Sequence, residues 1–369
     1  MILTTKEANK YISWQNTFIK QCKSDNYNWV FNSSNGFFKR WGSTKEEDPL
    51  FSPFGPELCD MEISTICSGP DGTSCPWCYK SNTPVGGNMS YETFKTIFKK
   101  LPHNVSQIAF GIGDIDGNPD LWNIMNYCRH NDHNRMVIPN ITINGANLTE
   151  DNIVNFSLLC GSIAVSRYKH CVDVCYDAVK KLTDHEMKQV NIHQILSKDT
   201  IDDCFQVIED FENDERLEKL NAVVFLLLKP KGKRNYLHTF DSEDLINLQK
   251  LVGYCLKNNI SIGFDSCSTP WFLESLNGLT NEHTRKAIEQ LVEPCESFGF
   301  FSSYINYEGK YFPCSFCEES HEDWMDGFDV LKCDDFLTDI WYSPLLNKWR
   351  NIMIERRLEG NTHCPIWNI

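Results

Sequence analysis

From about residue 57 to residue 265 the chain alternates between two patterns of apolar and polar positions. Short runs of β-branched and apolar residues, either alternating or wholly apolar, give way to longer stretches with apolar positions at helical spacing. The runs predict strands over 58–66, 107–112, 140–143, 162–167, 189–196, 221–228 and 261–265. The longer stretches predict helices over 90–101, 120–129, 149–160, 172–182, 200–211 and 242–257. Ser90 and the Thr149-Glu150-Asp151 triplet supply N-cap chemistry for two of these helices. Six or seven strands joined by helices imply right-handed crossovers and a parallel sheet, closed or partly closed into a barrel. In such an α/β architecture chemistry collects at the C-terminal ends of the strands.

The flanks do not share this rhythm. Residues 1–56 interleave Trp14, Tyr27, Trp29, Phe31, Phe37, Phe38 and Trp41 with Asn, Ser and Lys. Apolar spacing predicts a helix over 6–21, turn chemistry a hairpin at Asn35-Gly36, and Pro49, Pro53 and Pro56 an extended connection. This extension would serve as a lid or a brace. Residues 267–369 are irregular and cysteine-rich, with a hairpin expected over Tyr304 to Tyr311, and read as a small second domain wrapped on the barrel of residues 57–266.

At 369 residues, 41% hydrophobic and 23% charged, the chain is an ordinary globular protein. It opens without a cationic segment followed by an apolar core, and its longest apolar run, Ala222 to Leu228, is too short to span a bilayer. A cytoplasmic protein without a membrane partner is expected. A net charge of -15 argues against a nucleic-acid partner. The one dense cationic run, Lys229-Pro-Lys-Gly-Lys-Arg234, is a solvated loop or a contact for an anionic substrate or cofactor.

Seventeen cysteines in a reducing compartment point to metal ligands or small core groups rather than disulfides. Cys128, Cys160, Cys171, Cys175, Cys204 and Cys255 fall in helix-like patterns and read as core-filling. Cys67, Cys75 and Cys78 differ. They follow the first barrel strand, with seven residues between the first two and two between the last two. Three thiolates from one loop can hold three corners of an iron-sulfur cube and leave the fourth iron open. Zinc is the alternative, but its next ligand, His103, lies beyond a helix.

With this loop at a strand's end, the chain resembles the radical S-adenosylmethionine (SAM) enzymes that carry a SPASM or twitch-type C-terminal extension. The usual first spacing is three residues, and this chain departs from it with four more. The resemblance implies a partial (β/α)6 barrel, a 4Fe-4S cluster on Cys67, Cys75 and Cys78, and SAM on the open iron. It places Trp77 by the adenine, Gly113 and Asp114 in the turn that meets the methionine ammonium, and Asp116 as a competing acid. Thr142 and Asn144 would lie near the nucleoside, Ser166 on the ribose and Arg167 on the carboxylate. His193 and Lys229 are candidates for substrate contact.

Cys295, thirteen residues, Gly309, four residues and Cys314 match the opening of such extensions. An auxiliary 4Fe-4S cluster on Cys267, Cys295, Cys314 and Cys364 is implied, with Cys317 and Cys333 competing and zinc as the alternative. The dense cysteine run of a third cluster is missing, so two clusters are expected. The resemblance further implies hydrogen abstraction by a 5'-deoxyadenosyl radical from a peptide or ribosomally made precursor. It also implies a flavodoxin or ferredoxin as electron donor. A carbohydrate or nucleotide substrate, or a non-catalytic metal-binding interaction protein, are the other readings.

Overall fold

The computed structural model describes residues 2–44, 47–133, 135–279 and 281–367. Among the described residues no helix is long and apolar enough to cross a membrane. The N-terminal extension is a four-stranded antiparallel sheet, not the helix expected over 6–21. A single turn α1 (Thr5–Ala8) leads to β1 (Ile12–Trp14), β2 (Ile19–Cys22), β3 (Asn28–Asn32) and β4 (Phe38–Trp41), paired in that order. Asn16 ends any helix, because its Oδ1 accepts the N–H groups of Phe18 and Ile19 at 2.8 and 2.9 Å and turns the chain. The expected hairpin at Asn35-Gly36 joins β3 to β4, with Gly36 at φ +76°.

This sheet braces the barrel from below. The Tyr27 hydroxyl donates to Glu57 at 2.5 Å, and Arg40 pairs with the same carboxylate at 2.6 Å. The Trp29 indole donates to Asn104 at 2.8 Å, and the buried Lys20 ammonium to the Val105 carbonyl at 2.7 Å. Glu57 and Val105 lie just ahead of two barrel strands, so the contact is at their N-terminal ends, opposite the cysteine loop.

The alternation then runs as the apolar pattern requires. It comprises β5 (Leu58–Glu62), α2 (Tyr91–Lys100), β6 (Gln107–Gly111), α3 (Leu121–Arg129), β7 (Ile138–Ile143), α4 (Glu150–Leu159) and β8 (Ile163–Ser166). It continues through α5 (Val172–Asp184), β9 (Val190–Leu196), α6 (Ile201–Asn213), β10 (Ala222–Leu227), α7 (Leu245–Asn258) and β11 (Ile262–Phe264). Ser90 and Thr149 cap as expected, accepting from Thr93 and Asn152 at 3.1 and 3.2 Å. All seven strands are parallel and paired in chain order. Alternation along each strand makes two unlike faces. Cys59, Met61, Ile108, Phe110, Ile141, Ile192 and Phe225 are sealed beneath the helices. Asp60, Asn140, Thr142, Ser166, Asn191 and His193 lie half-buried on the inner face.

The C-terminal region is more regular than expected. It adds α8 (Thr269–Ser275), α9 (Glu282–Glu289), β12 (Ser302–Ile305), β13 (Lys310–Phe312), β14 (Phe328–Asp329) and α10 (Pro344–Leu358). The expected hairpin is β12–β13, and β12 pairs in parallel with β5, extending the barrel sheet to ten strands. The sheet stays open, with β11 and β14 at its edges.

Candidate active site

The segment from Cys67 to Cys78 leaves the C-terminal end of β5 and is tied back at its root, where the Cys67 N–H donates to the Thr83 carbonyl at 2.8 Å. Gly69 makes the return possible. Its φ is +85°, and an added Cβ would stand 1.9 Å from the Thr73 carbonyl oxygen. Cys67, Cys75 and Cys78 lie within each other's electrostatic reach. Burial pushes the Cys75 thiol up to about 12, against a hydrogen bond from the Tyr168 hydroxyl. Burial likewise raises Cys67, opposed by hydrogen bonds from Gly69 and Asn144. Thiols held neutral in this way become thiolates when a cation takes them as ligands. Cys171, expected in the core, sits half-buried beside Cys75 instead, while Cys128, Cys160, Cys175, Cys204 and Cys255 are buried.

The turn after β6 closes on this loop. The Asp114 N–H donates to the Ile66 carbonyl at 3.1 Å, and its carboxylate accepts the Ser68 N–H at 2.7 Å and the Asn144 amide at 3.0 Å. Gly113 leaves no room for a side chain, since a Cβ would lie 2.3 Å from both the Cys67 Cβ and the Ile66 carbonyl oxygen. Asn118, which the sequence reading passed over, anchors the turn by donating to Ile63 and Met89 carbonyls at 2.7 and 3.0 Å. Asp116, the competing acid, is exposed. The Trp77 ring stands 6.3, 6.1 and 6.4 Å from Tyr168, His170 and Tyr236.

Register places Thr142 beside Gly111, and Ser166 beside His193, on the inner face. Burial pushes His193 down to about 4, with Asp265 opposing. Arg167 is turned the other way. Its guanidinium donates to the Tyr176 hydroxyl at 2.8 Å and to Gln194 at 3.1 Å, and lies 3.5 Å from Asp210, all on the helix side. The structure therefore does not bring Arg167 to the other candidates. Lys229 pairs with Asp265 at 2.5 Å and lies 4.4 Å from the Phe316 ring centroid.

The C-terminal cysteines form a second group. Cys267, Cys295, Cys314 and Cys364 act on one another electrostatically. Cys317 joins them and donates to Cys314, which lowers the Cys314 pKa while burial raises Cys317. Cys333 stands apart, its sulfur bonded to the Val330 carbonyl at 3.3 Å and Lys100 its charged neighbour. Among the described residues no three His, Cys, Asp or Glu side chains converge as a single-ion site. Between the two groups, Lys80 pairs with Glu62 at 3.2 Å and with Glu318, and donates to the Tyr304 hydroxyl at 2.9 Å.

No protein-family model matches the chain, and no curated protein matches it in sequence. Solved structures do. SuiB of Streptococcus suis bound to S-adenosylmethionine superposes with a TM-score of 0.66 at 12% identity, over 96% of this chain and 99% of SuiB. SuiB bound to its precursor peptide SuiA gives 0.64 at 13% identity, over 89% and 90%. Native anSMEcpe with bound AdoMet and the Cp18Cys peptide gives 0.56 at 14% identity, over 80% and 82%. The chain therefore has the fold of SuiB and of anSMEcpe, both solved with S-adenosylmethionine bound.

Proposed function

We propose that this chain is a radical SAM enzyme that carries two iron-sulfur centres and modifies a peptide. The reading rests on one juxtaposition: Cys67, Gly113, Asp114 and Asn144 meet at the C-terminal end of a parallel strand. The donor set fits a 4Fe-4S cluster with one open iron, because Cys67, Cys75 and Cys78 share one loop and glycines carry the surrounding backbone against it. When bound there, such a cluster supplies the electron that splits SAM and yields the 5'-deoxyadenosyl radical that takes hydrogen from substrate.

The chain's own residues hold and shape that site. Asp114 fixes the loop root through Ser68 and orients Asn144, and its carboxylate has further lone pairs for the SAM ammonium. Trp77 and its ring neighbours offer a stacking wall for adenine. Thr142 and Ser166 present hydroxyls on the inner face for the nucleoside. His193, neutral at pH 7, faces Asp265, the carboxylate that pairs with Lys229, and both are candidates for substrate contact. Cys267, Cys295, Cys314 and Cys364 would hold the auxiliary cluster, with Cys317 as the competing fourth ligand. Flavodoxin or ferredoxin is the class of donor that would reduce the first cluster. The peptide substrate is supported by SuiB and anSMEcpe, whose structures hold peptides.

The test is anaerobic reduction with dithionite in the presence of SAM. Slow release of 5'-deoxyadenosine is expected without any substrate. Replacing Cys67, Cys75 and Cys78 by Ala should abolish it and leave about four irons per chain on the C-terminal cysteines. SAM left intact by the reduced, iron-loaded protein would assign the chain to metal binding without this chemistry.

A further inference from the structure

The segment after β10, residues 229–236, touches both cysteine groups. On one side Lys231 donates to the carbonyls of Ser315 and Glu318 at 3.2 and 2.5 Å, in the turn that carries Cys314 and Cys317. On the other side Gly232, at φ +109°, lies so close to the first loop that an added Cβ would stand 2.4 Å from the Cys78 carbonyl oxygen. The Lys233 N–H then donates to Ser81 and the Arg234 guanidinium to the Asn82 carbonyl, each at 2.8 Å. Adjacent residues of one strap thus grip the two loops.

Lys231 differs from the other sheltered lysines nearby. Lys229 has Asp265, and Lys80 has Glu62 and Glu318. Among the described residues no carboxylate lies within ion-pairing distance of Lys231. Glu318 offers it only a backbone carbonyl, because its carboxylate is turned to Lys80 and to the Asn306 amide at 2.8 Å. A sheltered ammonium without an anion is costly, and the cost is offset when negative charge forms beside it. Its nearest carboxylate, that of Glu318, is already held by Lys80 and Asn306, so the groups beside it left to take up new charge are the sulfurs of Cys314 and Cys317.

We propose that Lys231 is the charge-compensating positioning residue of the auxiliary iron-sulfur centre, its ammonium favouring the reduced state of that centre. The inference rests on the reading that the C-terminal cysteines hold a cluster. One-electron reduction adds one negative charge to a thiolate-ligated centre, and a fixed cation nearby stabilises that charge.

The test uses full-length protein with Cys67, Cys75 and Cys78 replaced by Ala, so that only the C-terminal centre gives a signal. Redox titration followed by electron paramagnetic resonance is run on this parent and on its Lys231→Gln and Lys231→Arg derivatives. Gln keeps an amide donor for the two carbonyls and removes the charge. At the potential where the parent is half reduced, the ratio of reduced to oxidised centre should fall about tenfold in Lys231→Gln, and Lys231→Arg should restore it. Parent protein without iron on the C-terminal cysteines would overturn the two-centre reading and this proposal with it. Iron at parental content with superimposable titrations in Lys231→Gln overturns the proposal alone.

Discussion

Gly113→Ala tests whether the turn after β6 presses on the first cysteine loop. The new Cβ would lie 2.3 Å from the Cys67 Cβ and from the Ile66 carbonyl oxygen, whereas real Cβ contacts stay beyond 3.0 Å. Cys67 and the turn must therefore separate by roughly 0.7 Å, at a cost of about 1–3 kcal/mol in a packed site. That shift exceeds the roughly 0.2 Å over which metal–ligand distances hold, so the loss should appear as iron before it appears as unfolding. Gly111→Ala, two residues earlier, is the control, because the nearest atom to its Cβ is 3.7 Å away. After anaerobic reconstitution, Gly113→Ala should carry about four irons fewer per chain than the parent and release no 5'-deoxyadenosine. Gly111→Ala should keep its iron. Parental iron and parental SAM cleavage in Gly113→Ala would refute the contact.

Asp114→Ala removes the acceptor of Ser68 and Asn144; SAM affinity, by equilibrium binding to iron-loaded protein, should drop at least tenfold, about 1.4 kcal/mol, and unchanged affinity would dismiss Asp114 from the site. Cys171→Ala should leave SAM cleavage intact, since the chemistry needs an iron without a fourth cysteine; lost cleavage together with lost iron would make Cys171 a ligand. His103 is pushed down to about 4 from its usual 6.5 by burial, with Arg135 and Lys20 adding repulsion. Its folded-state pKa is the lower one, so its contribution is whole above about 6.5 and is lost as pH falls toward 4. Melting temperature should decline across that window, and His103→Gln should flatten the decline; identical slopes would refute the assignment.

What the sequence made legible was local. The barrel strands and helices could be read because each buries one face, which stamps its period on the chain. Cys67, Cys75 and Cys78 stood out by spacing alone. Where the reading failed, a specific signal was overridden or overlooked. Apolar spacing over 6–21 suggested a helix, but the Asn16 side chain captures two N–H groups and the Ile19–Cys22 run alternates. The 15-residue helix α10 was missed although Ser343-Pro344 is an N-cap followed by proline at N1; the Ser343 hydroxyl accepts the Leu346 N–H at 3.2 Å. Ser166 and Arg167 were grouped as one site, yet neighbours on a strand point to opposite faces, and Arg167 meets Tyr176, Gln194 and Asp210. The pairing of β12 with β5 joins residues more than two hundred positions apart, and no local pattern encodes such a contact.

The distance between the two cysteine groups is itself built into the fold, and the Lys80 network shows how. Glu62 ends the strand that leads to Cys67, Lys80 follows Cys78 by two residues, Tyr304 lies on the added strand β12, and Glu318 is next to Cys317. Glu62, Tyr304 and Glu318 all meet at the Lys80 ammonium, with Tyr304 also donating to Glu62 at 3.2 Å. Burying these charges gains little net stability, since the desolvation of two carboxylates and an ammonium consumes most of their attraction. What the arrangement does supply is direction: the network is satisfied only when strand, first loop and second loop stand in one mutual orientation. The strap at Lys231 and Gly232 makes the same junction by hydrogen bonds and backbone contact rather than by ion pairs. The two clamps differ in chemistry, share Glu318 and span the same two loops, and together they fix the separation of those loops. A fixed separation is what electron exchange between the two proposed centres would require.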